Sequence, residues 1–152
     1  MGLDMMRAFK YFLRNKHNED TAGFPEVVFK AIPHKKHRYI TCGDYYQKGK
    51  KWYIVCSQMK IEFVFLVLIH EFVEWFLTQR RGILEPDIKA FDEMFEKERE
   101  AGKWLNDEEP GDDPRAPYFC EHQFATQIEK ECAEEMGVDW NEYEDTCIKL
   151  FE

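Results

Sequence analysis

The run IEFVFLVLIHEFVEWFLT, Ile61–Thr78, decides how the chain is read. It is the most apolar segment of the 152 residues, and His70, Glu71 and Glu74 stand in its middle. At 3.6 residues per turn His70 and Glu74 fall on one helix face, in a stripe with Phe63, Val67 and Leu77. Glu71 projects about 100° round from His70. Apolar residues on nearly every side predict a helix buried in a core. Ionisable groups in such a helix are costly unless they are paired or coordinate a metal.

On the N-terminal side, Glu26–Ile32 (EVVFKAI) is rich in β-branched and aromatic residues and reads as a strand stopped by Pro33. Arg38–Tyr46 and Lys51–Ser57 flank the polar Gln47–Lys50, and Trp52, Ile54 and Cys56 alternate with Tyr53 and Val55. That is a β-hairpin pattern, with the central helix expected from near Ser57. Met5, Phe9, Phe12 and Leu13 recur at helical spacing and predict a helix over Leu3–Lys16, docked on the body. His34 and His37 in PHKKH have a spacing able to hold a metal, but their basic surroundings repel a cation.

On the C-terminal side, Gly82 follows Arg80 and Arg81 and ends the central helix. Pro86-Asp87 opens a second helix with Ile88, Phe91 and Phe95 inward and Asp92 at the border. Gly102–Pro117 is an acidic loop containing EEPGDDP, long enough to cover a site. A third helix is expected from Tyr118 to Met136, ended by Gly137, and a short fourth over Asp139–Phe151. The third helix has an apolar face of Phe124, Ala125, Ile128, Cys132 and Met136, with Glu121 near its centre and His122 and Glu129 at its edge. The order predicts one α+β domain: a small antiparallel sheet, strand plus hairpin, against the central helix and two or three others.

Composition narrows the function. A net charge of −9 opposes nonspecific binding to nucleic acid, which needs a basic surface. Charges interrupt the central apolar run, so no membrane span is expected there. Met1–Lys16 lacks the form of a signal peptide. Five cysteines, without a CxxC pair, suit reduced thiols and a cytoplasmic location.

A His and a Glu four apart on a helix can aim at one ion, and imidazole with carboxylate suits zinc or another divalent metal. Glu71 is placed to act as general base toward a metal-activated water. A catalytic centre typically has three protein ligands, and the third helix offers Glu121 or His122 as the third. Imidazole is favoured because its neutral form costs little to bury. The competing reading is a satisfied polar core, with Glu71 and Glu74 paired to Arg80, Arg81 or a lysine.

Strand, hairpin and a helix carrying HEFVE resemble the minimal core of zincin-like metallopeptidases, over about Tyr39–Gln79. The resemblance implies His70 and Glu74 as zinc ligands, Glu71 as general base, and a peptide or related amide as substrate. Glu74 stands where that family has a second His, and HxxGxxH and a Met-turn are absent. WYIVCSQ, LVLIHEFVEW, RRGI, EPGDDP and EHQFAT also resemble segments of small bacterial and phage proteins that carry no assigned activity. Two other readings remain. Glu71 with Glu74, and Glu93 with Glu96, form two ExxE pairs that could share magnesium in a nucleotide pyrophosphohydrolase. The acidic surface also suits a non-catalytic protein that binds a basic protein partner.

Overall fold

The computed structural model describes residues 23–105 and 107–151, and among these described residues it has three strands and four α-helices. The helix expected over Leu3–Lys16 lies outside the described residues. Strand β1 is Glu26–Ile32, β2 is Gly43–Lys48 and β3 is Lys51–Ser57. Helices follow at Ile61–Arg81 (α1), Glu85–Glu100 (α2), Phe119–Glu135 (α3) and Trp140–Lys149 (α4). The α+β class is as the sequence pattern predicts. Among the described residues no helix is long and apolar enough to cross a membrane.

The hairpin forms with β3 as expected, but its first strand is Gly43–Lys48 rather than Arg38–Tyr46, and Lys48 opposite Lys51 leaves a two-residue turn at Gly49–Lys50. Gly49 has φ 63°, a conformation that this kind of turn requires and glycine supplies without steric cost. The sheet is mixed rather than antiparallel. Its order is β1-β3-β2, and β1 runs parallel to β3 from Glu26↔Lys51 to Ile32↔Ser57. The segment after Pro33 carries the chain past the central position to the far edge, and β3 returns between its neighbours. Central placement explains why Ile54, Val55, Cys56 and Ser57 are buried while most of β1 is not.

The sheet rests on α1. Trp52 and Trp75 meet with ring centroids 5.5 Å apart, and Phe29 meets Phe72 at 5.3 Å. Phe63, Val64, Leu66 and Val67 join Cys56, Ala133 and Tyr143 in one apolar cluster linking sheet, α1, α3 and α4. Gly82 caps α1 at φ 67°, as its position behind two arginines predicts. Three further expectations need correction. The central helix begins at Ile61 rather than near Ser57, and it is not covered on every side: Ile61 and Phe65 are exposed. The buried face of α3 is also not the apolar one. His122, Ala125, Glu129 and Ala133 turn inward with Glu121, whereas Phe124 and Ile128 are half-buried and Met136 is exposed. Small alanines let α3 approach α1 closely, and the polar groups between them find partners on α1.

Candidate metal centre

Helix periodicity assembles the centre. His70 and Glu74 stand one turn apart on α1, and His122 and Glu129 stand two turns apart on α3, so both pairs meet in the α1–α3 seam. His70, Glu74 and His122 are 8%, 7% and 4% exposed. His70 Nε2 lies 3.2 Å from His122 Nδ1 and 3.4 Å from Glu74 Oε2, and His122 Nδ1 lies 2.9 Å from the same oxygen. A tetrahedral ion with bonds of about 2.0–2.1 Å holds its ligand atoms about 3.3–3.4 Å apart. The triangle is close to one face of such a tetrahedron.

The outer ring nitrogens sharpen the fit. His70 Nδ1 lies 2.9 Å from Glu129 Oε2, and His122 Nε2 lies 3.3 Å from Glu109 Oε2 and 3.5 Å from Asp112 Oδ1. Ionised carboxylates only accept hydrogen bonds, so each outer nitrogen carries the hydrogen. Neutral rings would then aim two bare nitrogens and a carboxylate oxygen at one point, three acceptors without a donor. A cation or extra protons must resolve that conflict. Carboxylates behind metal-ligating imidazoles are the usual outer-sphere arrangement, fixing tautomer and ring orientation.

Without a metal, protons fill the role. Burial alone would lower the pKa of His70, but the carboxylates of Glu129 and Glu74 outweigh it and hold it well above the usual 6.5. His122 is likewise opposed by burial yet pushed up to about 12 by Asp112, Glu109 and Glu74. Glu74, which burial alone would raise, is brought down to about 2 by its bonds with His122 and His70. Tyrosines hold the carboxylates in turn: Tyr45 donates to Glu74 Oε1 at 3.2 Å, and the Tyr143 hydroxyl donates to Glu129 Oε1.

The other sequence candidates separate clearly. Glu121 is buried but bonded to Arg81, away from the triad, so of the two possible third ligands the fold brings in His122. Glu71 is not in the triad either. Its carboxyl turns toward β2, where a Cβ added at Gly43 would stand 2.5 Å from Oε1. It has no hydrogen-bond partner among the described residues, and burial together with the charge of Glu74 holds its pKa well above the usual 4.5. His34 Nδ1 and His37 Nε2 instead converge on Ser57 Oγ, at 2.8 and 3.1 Å. Glu93 and Glu96 are exposed and lie beside Lys89 and Arg99 of their own helix.

The sequence places Glu129 only at the edge of a helix face and Glu109 and Asp112 only in a loop able to cover a site, and it assigns Tyr45 and Tyr143 no role there. A signal did exist for Glu129, seven residues after His122 and therefore on the same helix face. The acidic loop does reach the site: Glu109 precedes and Asp112 ends a 3-10 turn over Pro110–Asp112, whose Gly111 packs on the His122 ring. Fold and site together define a small α+β protein with a two-histidine, one-carboxylate donor triad clasped between two helices. The chain matches no protein-family model, and no curated protein or solved structure is detectably similar to it.

Proposed function

We propose that the chain holds a divalent metal, zinc by preference, through His70, Glu74 and His122, and acts as a hydrolase of the zincin-like metallopeptidase kind. The observation that carries this reading is the convergence of three donor atoms within 3.4 Å, with a carboxylate behind each imidazole. Two histidines and a glutamate are a ligand set used by catalytic zinc sites that keep a fourth position for water. A bound zinc would supply Lewis acidity and lower the pKa of a coordinated water toward 7. Glu71 follows ligand His70 directly, and a neighbouring dication would favour its ionised, proton-accepting form. An amide bond is the expected target and the cytoplasm the expected compartment.

A second reading rests on the burial of all three donors: the metal would be structural, pinning α1 to α3 in an acidic binding protein. The magnesium pyrophosphohydrolase is disfavoured, because Glu93 and Glu96 are exposed and placed against their own helix's bases.

Elemental analysis of the purified protein beside His70→Ala tests the metal. About one equivalent in the wild type and none in the variant is expected, and no metal in either ends the proposal. Glu71→Gln should keep the metal and abolish cleavage of a mixed peptide pool. A metal-loaded wild type that cleaves nothing in the pool favours the structural reading.

A further inference from the structure

Cys42 and Cys147 are 105 residues apart in the chain and meet in the fold. Cys42 precedes β2, Cys147 lies near the end of α4, and Cys42 Sγ is 3.5 Å from the carbonyl oxygen of Cys147. The Cys147 thiol is near enough to raise the pKa of the Cys42 thiol, with burial acting in the same direction. Both are half-buried, within reach of a small reagent, whereas Cys56 beside them is fully buried. We propose that Cys42 and Cys147 are an oxidisable pair that closes a disulfide between the entry to β2 and α4.

The step balances with a low-molecular-weight disulfide as oxidant, such as oxidised glutathione. The thiolate of Cys147 attacks one glutathione sulfur, breaks the glutathione S–S bond and expels the first glutathione thiolate. Cys42 then loses its proton to solvent, attacks Sγ of Cys147 and expels the second. Two protein thiols are oxidised, one glutathione disulfide is reduced to two thiols, and no further reactant is needed. The Cys147 side chain beside it, and then burial, favour the protonated form of Cys42, which assigns the first attack to Cys147. The bond would fix α4, which carries Tyr143 one turn before Cys147, and with it the Tyr143–Glu129 contact behind His70.

The test uses the full chain carrying Cys120→Ser, which removes the exposed thiol. After incubation with oxidised glutathione, the free thiols should fall from four to two, and non-reducing peptide mapping should join the Cys42 peptide to the Cys147 peptide. The thermal midpoint should rise by roughly 5–15 °C, because the bond closes a long loop. Adding Cys42→Ser should arrest the reaction at a glutathione adduct on Cys147, whereas adding Cys56→Ser should leave the cross-link intact. A link from Cys147 to Cys56, or an unchanged thiol count when the urea-unfolded chain does oxidise, would overturn the assignment.

Discussion

His70 Nδ1 and Glu129 Oε2 lie 2.9 Å apart across the α1–α3 seam, joining positions 59 residues apart in the chain. The contact fixes which nitrogen of His70 carries hydrogen and leaves Nε2 facing Glu74 and His122. Replacing Glu129 by Gln keeps the shape but removes the charge behind the ring. Zinc affinity should fall by about 10–100-fold, against complete loss in His70→Ala. Competition with a chromophoric chelator measures both. Equal affinities for Glu129→Gln and wild type would show that the carboxylate does not act through the imidazole.

Zinc should cancel the pH dependence that the two imidazoles give the metal-free protein. In the metal-free state His70 and His122 have folded pKa values above 6.5, about 12 for His122. Their stabilisation is therefore full below pH ~6.5 and is lost as pH rises through the folded values, by up to about 1.4 kcal/mol per pH unit for each group. Metal binding displaces a proton from each ring, so zinc affinity should rise with pH by up to about 100-fold per unit. Urea unfolding at pH 6.5 and 8.5 should show stability falling with pH in chelator and staying nearly level with zinc, because the gain in zinc affinity offsets the loss. Parallel slopes would mean that the rings are not what zinc occupies.

How much of this was readable follows from where each signal sits. His70 and Glu74 are visible because their spacing lies within one helix, and the strands and hairpin because alternation is local. Glu129 was passed over because the apolar residues of α3 suggested a face turned away from the one actually buried. Tertiary pairing with α1 overrides that local hydrophobicity. Glu109 and Asp112 lie in the loop expected to cover the site, but only the fold shows that they reach His122. The parallel pairing of β1 was equally hidden, since strand order is set by packing and not by any residue within the strand.

Two glycines are required by close approach and not by backbone angle, since neither has positive φ. A Cβ on Gly111 would stand 2.3 Å from His122 Cγ, and one on Gly43 would stand 2.5 Å from Glu71 Oε1 and 2.6 Å from Val67 Cγ1. Each alanine substitution should cost about 1–3 kcal/mol by overpacking. Gly111→Ala should also weaken zinc binding, because the ring must shift. The cost of Gly43→Ala should shrink in a Glu71→Ala background, where one of its two obstacles is gone. Chemical denaturation of the two single variants and the double variant reads this directly, and strict additivity would contradict the contact.

Glu121 is the sequence candidate that the fold assigns elsewhere, and its pairing with Arg81 is itself testable. The carboxylate is 3% exposed, while the Arg81 side chain keeps 24% of its surface in water. Removing the arginine leaves a buried charge without its partner, so Arg81→Ala should destabilise by about 3 kcal/mol. Removing both with Arg81→Ala and Glu121→Leu should recover most of that loss, since an apolar side chain needs no partner in the seam. Zinc affinity should be unchanged in the double variant, because Glu121 contributes nothing to the triad. A large fall in zinc affinity with Glu121→Leu, at retained stability, would reinstate Glu121 as the ligand and displace His122 from that role.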